Sequence, residues 1–223
     1  MVNRPVGLIG APTSAGAFAP GQEDAPAALR DAGLVERLRD AGLDVVDFGD
    51  TPRFRWRPDR AQPFAMNASA VRAGVLAVAD KVAEALERDL FPLVIGGDCT
   101  VELGTVLGWQ RHRSETSLLY FDAHPDLNTP DSAWAEERGA FLVHFDTDSI
   151  DMTDLPLDEN TDRNVGLSFE AVANALDVLL ASPQLGALTI TEINPHHGEP
   201  DGATLRTFLD RFVMAFRSQA LPR

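Results

Sequence analysis

Two short runs hold most of the chemistry this sequence offers: Asp122-Ala123-His124-Pro125-Asp126 and Asp146-Thr147-Asp148. Alternate residues of an extended chain point to the same side, so Asp122, His124 and Asp126 project together, and so do Asp146 and Asp148. Four carboxylates and an imidazole brought into one place repel one another unless a cation sits among them. Hard oxygen donors with one or two softer groups suit Mn²⁺, with Mg²⁺, Fe²⁺, Co²⁺ and Zn²⁺ as competitors. Two further runs add candidates: Gly96-Gly97-Asp98-Cys99 and Glu192-Ile193-Asn194-Pro195. Each run also has a plainer reading. The glycines can form a tight turn, Cys99 can be a small core hydrophobe and Glu192 a solvated loop acid. Residues 146–162 contain seven acids and no base, as an acidic surface would. What favours a metal site is that all four clusters directly follow an apolar run, since chance would scatter them.

Those runs are the elements that must position the acids. Residues 5–10, 43–48, 92–95, 117–121, 141–145 and 187–193 read as strands, mostly continuous Val, Ile, Leu and Phe, as in a sheet covered on both faces. Between them lie helical patterns. Over about 67–88, Val71, Val75, Val78, Val82 and Leu86 form one stripe, and Leu205, Phe208, Leu209, Phe212, Val213 and Phe216 form another near the end. Asp24 and Ser168 read as N-caps and Gly42 as a helix stop. No linker or low-complexity tract divides the chain, so residues 1–223 are expected to form a single domain with a parallel βαβ sheet. In such sheets functional groups collect beyond the carboxyl ends of the strands, where the acids lie.

Composition removes several classes. Thirty-four acids against nineteen Lys and Arg give a net charge of −15, which repels phosphate backbones and anionic lipid, so no nucleic acid and no membrane partner is expected. No run approaches the roughly 18 apolar residues of a membrane span. Nothing near Met1 reads as a signal peptide, and a cytoplasmic location is expected. Cys99 is the only cysteine, which excludes an internal disulfide, and Lys81 the only lysine, which argues against Schiff-base chemistry. A metal phosphohydrolase is disfavoured, because no Arg/Lys cluster or glycine-rich phosphate loop accompanies the acids.

The sequence resembles the arginase/agmatinase (ureohydrolase) family. The matching pieces are Gly-Gly-Asp-Cys-Thr at 96–100, Asp-Ala-His-Pro-Asp-Leu-Asn-Thr-Pro at 122–130, His-Phe-Asp-Thr-Asp-Ser-Ile-Asp at 144–151 and Glu-Ile-Asn-Pro at 192–195, with residues 21–34 similar to the family's first loop and helix. The resemblance implies an α/β fold, three-layer α/β/α with a mostly parallel sheet. It also implies a binuclear Mn²⁺ site whose metal-bridging hydroxide hydrolyses the C–N bond of a small guanidino compound and releases urea, in a homo-oligomer, trimer or hexamer. Carried over by position, Asp122 and Asp146 bridge the two metals, and His124 and Asp148 bind one of them. Asp126 and Cys99 complete the other. Asp126 also passes a proton to the leaving amine, Glu192 holds the guanidinium and Asn128 contacts the substrate.

Two departures from the family pattern qualify these expectations. Cys99 stands where the family usually has histidine, and a soft thiolate there favours Zn²⁺ or Fe²⁺ over Mn²⁺. A long family segment, with a Ser-Gly-Asn-x-His-Gly loop that supplies substrate contacts and a proton-shuttle histidine, is replaced here by residues 131–140 alone. His144, His196 and His197 are its only stand-ins, and they read more readily as histidines behind or outside the site. Loss of the segment's two strands is expected to shorten the sheet at one edge and leave the ligand-bearing strands side by side, bridged by a short helix over 134–138. The alternative function is a catalytically impaired, metal-binding relative that acts as a structural or regulatory oligomer partner.

Overall fold

A computed structural model describes residues 4–113, 116–122, 140–159 and 166–217. The elements run β1 (Val6–Gly10), α1 (Ala25–Asp31), α2 (Leu34–Asp40), β2 (Val45–Asp50), α3 (Ala68–Glu87), β3 (Phe91–Ile95), α4 (Val101–Gln110), β4 (Ser117–Phe121), β5 (Phe141–Asp146), α5 (Phe169–Ala181), β6 (Leu185–Thr191) and α6 (Ala203–Arg217). The six strands form one sheet in the order β2-β1-β3-β6-β5-β4, and every pairing is parallel. All carboxyl ends therefore emerge on one side. The strands at 92–95, 117–121, 141–145 and 187–193 were expected to be parallel and contiguous, and β3, β6, β5 and β4 are so. The short helix expected over 134–138 lies outside the described residues.

Helices cover both faces, which is why the strands are apolar throughout rather than alternating. On one face α1, α2, α5 and α6 enclose the larger core, in which Leu8, Phe91, Leu93, Phe145, Ile190, Phe208 and Phe212 are buried. On the other, α3 and α4 pack over Ile9, Val94, Leu142 and Ala187. Of the stripe on α3, Val78 and Val82 are fully buried and Val71, Val75 and Leu86 partly so. Close contact with α4 requires glycine there: a Cβ on Gly104 would sit 2.7 Å from Val78 Cβ, and one on Gly108 2.7 Å from Ala79 O. No described helix is long and apolar enough to cross a membrane.

Gly42, at φ +92°, does stop the chain after α2, and Ser168 caps α5 by accepting from Ala171 N at 3.3 Å. Asp24 precedes α1 but makes no side-chain cap, because a 3₁₀ turn at Gln22–Asp24 already leads into the helix and its carboxylate pairs instead with Arg53 and His196. The last strand ends at Thr191, not 193, because Glu192 turns into the left-handed region at φ +61° and takes the chain off the sheet.

Candidate metal centre

Four strand exits build the centre. After β3, the turn Gly96-Gly97 adopts φ +83° and +85°, where a side chain is strained and where space is also lacking. A Cβ on Gly96 would meet Pro26 Cδ at 2.5 Å, and one on Gly97 would meet Ala11 O and Val101 Cγ2 at 2.6 Å. The turn delivers Asp98, whose carboxylate accepts from Gly16 N at 2.9 Å and Thr100 N at 3.1 Å and so ties the β1 loop to the β3 loop. Next comes Cys99, at the entry to α4.

Asp146 closes β5 and has two roles. Its Oδ1 accepts from Asp148 N at 2.8 Å, capping the 3₁₀ turn Thr147–Ser149, while Oδ2 accepts from Cys99 Sγ at 2.8 Å. One donor atom each from Cys99, Asp122, His144 and Asp146 lie within 4.8 Å of one another. Glu192, after β6, is fixed on the rim of this group: Cys99 N donates to Oε1 at 3.0 Å and Gln22 Nε2 to Oε2 at 2.8 Å. Non-glycine residues rarely hold its positive φ, a strain typical of functional positions.

The electrostatics are those of a site built for a positive charge. Burial and then the charge of Asp146 raise Glu192 to about 8. Burial and the charges of Asp146 and Glu192 push the Cys99 thiol far above its usual range. Burial alone would lower His144, but its contacts with Asp146 and Glu102 outweigh that and raise it to about 9. Asp146 shifts the other way: burial opposes its charge, yet His144, Cys99 and Asp148 N hold it below the usual carboxylate range. Among the described residues, no Lys or Arg pairs with Asp146, Asp158 or Glu192. Four O, N and S donors facing one point, in a group whose Asp146 has no Lys or Arg partner among the described residues, fit a divalent cation.

Of the residues singled out from sequence, Cys99, Asp122, Asp146 and Glu192 are brought together. Asp148 is buried beside them but is not within the donor group; its charge bears on Asp158. His124, Asp126 and Asn128 lie outside the described residues. His196 sits at the surface on Asp24 at 2.8 Å, and His197 donates from Nδ1 to Asp158 O at 2.6 Å. His144, read from sequence as behind or outside the site, is fully buried, and one of its ring nitrogens lies within 4.8 Å of donor atoms of Cys99, Asp122 and Asp146. Two acids were not anticipated, Glu102 on α4 and Asp158 in the loop after β5. Asp158 is buried, neither of its oxygens has a partner among the described residues, and burial with the charges of Asp148 and Asp146 raises it to about 8. The available signal was Asp158's place within the acidic stretch, and for Glu102 its i, i+3, i+7 spacing with Thr105 and Trp109.

The chain is 37% identical over 128 residues to the arginase of Bacillus subtilis, a match that covers 57% of this chain and 43% of that one. It thus spans less than half the length of that relative. The crystal structure of arginase from Bacillus cereus superposes with a TM-score of 0.81 over 96% of this chain and 98% of that one, at 20% identity. A formiminoglutamase variant from Trypanosoma cruzi, whose structure contains Mn²⁺, superposes with a TM-score of 0.71 at 17% identity over 97% of this chain and 94% of that one. At such identities the structural likeness establishes the fold. Residues 4–145, more than half of the chain and carrying two of the four strand exits, match the model of the arginase family, so the chain belongs to the arginase family.

Proposed function

We propose that this protein is a metal-dependent hydrolase of the C–N bonds of a small guanidino or amidino compound. The observation that carries the reading is Asp146 at the end of β5, with donor atoms of Cys99, Asp122 and His144 gathered round it and Glu192 fixed on the rim. Cys99, Asp122 and Asp146 would hold the cation, joined by His124, Asp126 and Asp148 by family resemblance. A divalent cation supplies Lewis-acid activation of water and of the carbon under attack. Mn²⁺, found in the T. cruzi formiminoglutamase structure, is the metal of the resemblance, and two such sites are the family pattern.

The residues do the rest. Glu192, pinned through both oxygens by Cys99 N and Gln22, offers a fixed acceptor face to the N–H groups of a planar cation. A cationic substrate also offsets the repulsion that keeps Glu192 protonated, so binding shifts that carboxyl to its charged form. Asp126 passes a proton to the leaving amine, which departs neutral. Asn128 contacts the substrate. The net acidic charge favours a cationic ligand over phosphate or nucleic acid, and a cytoplasmic homo-oligomer is the accompanying expectation.

The Cys99 thiol bonded to Asp146 favours a second reading, a metal-binding relative without turnover. Metal-loaded protein assayed against arginine, agmatine and formiminoglutamate, with urea or formamide as the readout, separates the two. Release above the metal-free background, abolished by Glu192→Ala, is the expected result. Stoichiometric metal with no release from any amidine would overturn the hydrolase reading.

A further inference from the structure

We propose that His144 is itself a metal ligand in this chain, oriented by Glu102, so that the site at Cys99 carries a sulfur–nitrogen–oxygen donor set. The inference rests on the metal site proposed above and names which atoms hold one ion. His144 lies on β5 two residues before Asp146, hence on the same side of the strand. Its two ring nitrogens face two different acids. Nε2 lies 3.9 Å from Asp146 Oδ2, the oxygen that also accepts from Cys99 Sγ, and Nδ1 lies 3.8 Å from Glu102 Oε2. Sγ and Nε2 therefore flank one carboxylate oxygen, and donors of a tetrahedral ion lie roughly 3.3–3.8 Å apart given bond lengths of about 2.0–2.3 Å.

The ring is fixed on every side. Tyr120, paired with His144 across β4 and β5, stacks on it with centroids 4.0 Å apart and planes 13° from parallel. Thr191 Oγ1 approaches Nε2 at 3.4 Å. Glu102 is fully buried under α4, and neither of its oxygens has a hydrogen-bond partner among the described residues. A buried carboxyl group is costly unless it is paired, and the His144 ring, with Nδ1 at 3.8 Å, is the basic group that faces it. Glu102 is accounted for if it receives Nδ1–H of an imidazole whose Nε2 faces a metal, the arrangement in which a carboxylate sets the tautomer and raises the ligand's basicity. Thiolate and imidazole together favour Zn²⁺, Co²⁺ or Fe²⁺ over Mn²⁺ at this position.

Metal binding and histidine NMR on the full chain test this without recourse to turnover. Zn²⁺ and Mn²⁺ affinities are measured by competition with a chelator for the wild type, Glu102→Gln and His144→Gln, with far-UV circular dichroism as the folding control. The expected result is a 10- to 100-fold loss of Zn²⁺ affinity in Glu102→Gln. A larger loss is expected in His144→Gln, with Mn²⁺ less affected in both. Should either variant fail to fold, the wild type labelled with ¹⁵N-histidine decides. The chain has five histidines, so His144 is assigned by replacing the other four singly. Its Nε2 resonance should move to a metal-bound position when Zn²⁺ is added. Unchanged Zn²⁺ affinity in folded variants, or an unmoved His144 resonance in zinc-loaded wild type, overturns the proposal. Amidine hydrolysis persisting beside either of those results would leave the functional reading standing, whereas zinc bound through His144 without hydrolysis would do the reverse.

Discussion

Cys99 and Asp146 form the contact on which the character of the centre turns. In the metal-free protein the thiol keeps its proton and donates it to Asp146, at 2.8 Å. Replacing the thiol by imidazole removes the softest donor, so Cys99→His should raise Mn²⁺ stoichiometry, measured by elemental analysis after identical loading of both proteins. Equal stoichiometry with a lower melting temperature would mean that Cys99 merely fills space and that the larger ring overpacks it. The surrounding titrations set a second expectation. Glu192 and Asp158 are raised to about 8, so folding excludes their charged forms, a cost absent below the unfolded carboxylate range and growing until pH passes 8. His144, raised to about 9, adds stability that is complete below its unfolded value near 6.5 and fades as pH rises through 9. All three have the same sign: the metal-free protein should lose melting temperature steadily from about pH 5 to pH 9, and metal should flatten the profile. A metal-free profile that rises over this interval would contradict the assigned environments. Asp122, Asp146 and Glu192 were legible in the sequence because each follows an apolar run, and Asp158 was not, because it lies in an acidic loop. His144 was legible only as a stand-in histidine, because within a buried strand a histidine and a core residue occupy the same kind of position. Glu102 was not legible either, because a glutamate in the first turn of a helix usually faces solvent and this one is buried.

Turns, more than strands, aim these groups. The strand at 117–121 was read to the residue and the others to within a few, since burial on both faces leaves an unbroken apolar signature. The exact exit of β6 was not legible, because a left-handed glutamate has no sequence mark that separates it from one more extended residue. Gly96-Gly97 is the clearest case of a turn under double constraint. Gly97→Ala forces a side chain into φ +85° and against Ala11 O, at a cost of about 2–4 kcal/mol. For a chain of this length that is a loss of roughly 5–15 °C in melting temperature. Because the same turn presents Asp98 and Cys99, metal affinity should fall with it. Ser168→Ala, which removes the α5 cap far along the chain from the turn, should cost about 1 kcal/mol and leave metal affinity unchanged. Differential scanning calorimetry with and without metal separates the two. Equal metal affinity in Gly97→Ala and the wild type would show that the turn supports the fold without aiming the site.

At the scale of the whole molecule, the sheet order makes the centre achievable in a short chain. Exits from β3, β6, β5 and β4 are contiguous, so ligands carried on separate segments of sequence meet without an intervening strand. β4 forms the edge of the sheet among the described residues and is only half-buried. The family and the parallel sheet were legible from four motifs in order, because each motif's chemistry demands its place at a strand end. The substrate was not, because by the resemblance the segment expected to contact it is the one that residues 131–140 replace. Under the proposed function, the strand exits hold a divalent cation on Asp146. Isothermal titration calorimetry of Zn²⁺ and Mn²⁺ into metal-free protein, wild type against Asp146→Asn, tests it most directly. Saturable binding of at least one equivalent in the wild type, lost in a folded Asp146→Asn, is the predicted result, and wild type that binds neither metal, or Asp146→Asn that binds them equally well, would contradict it.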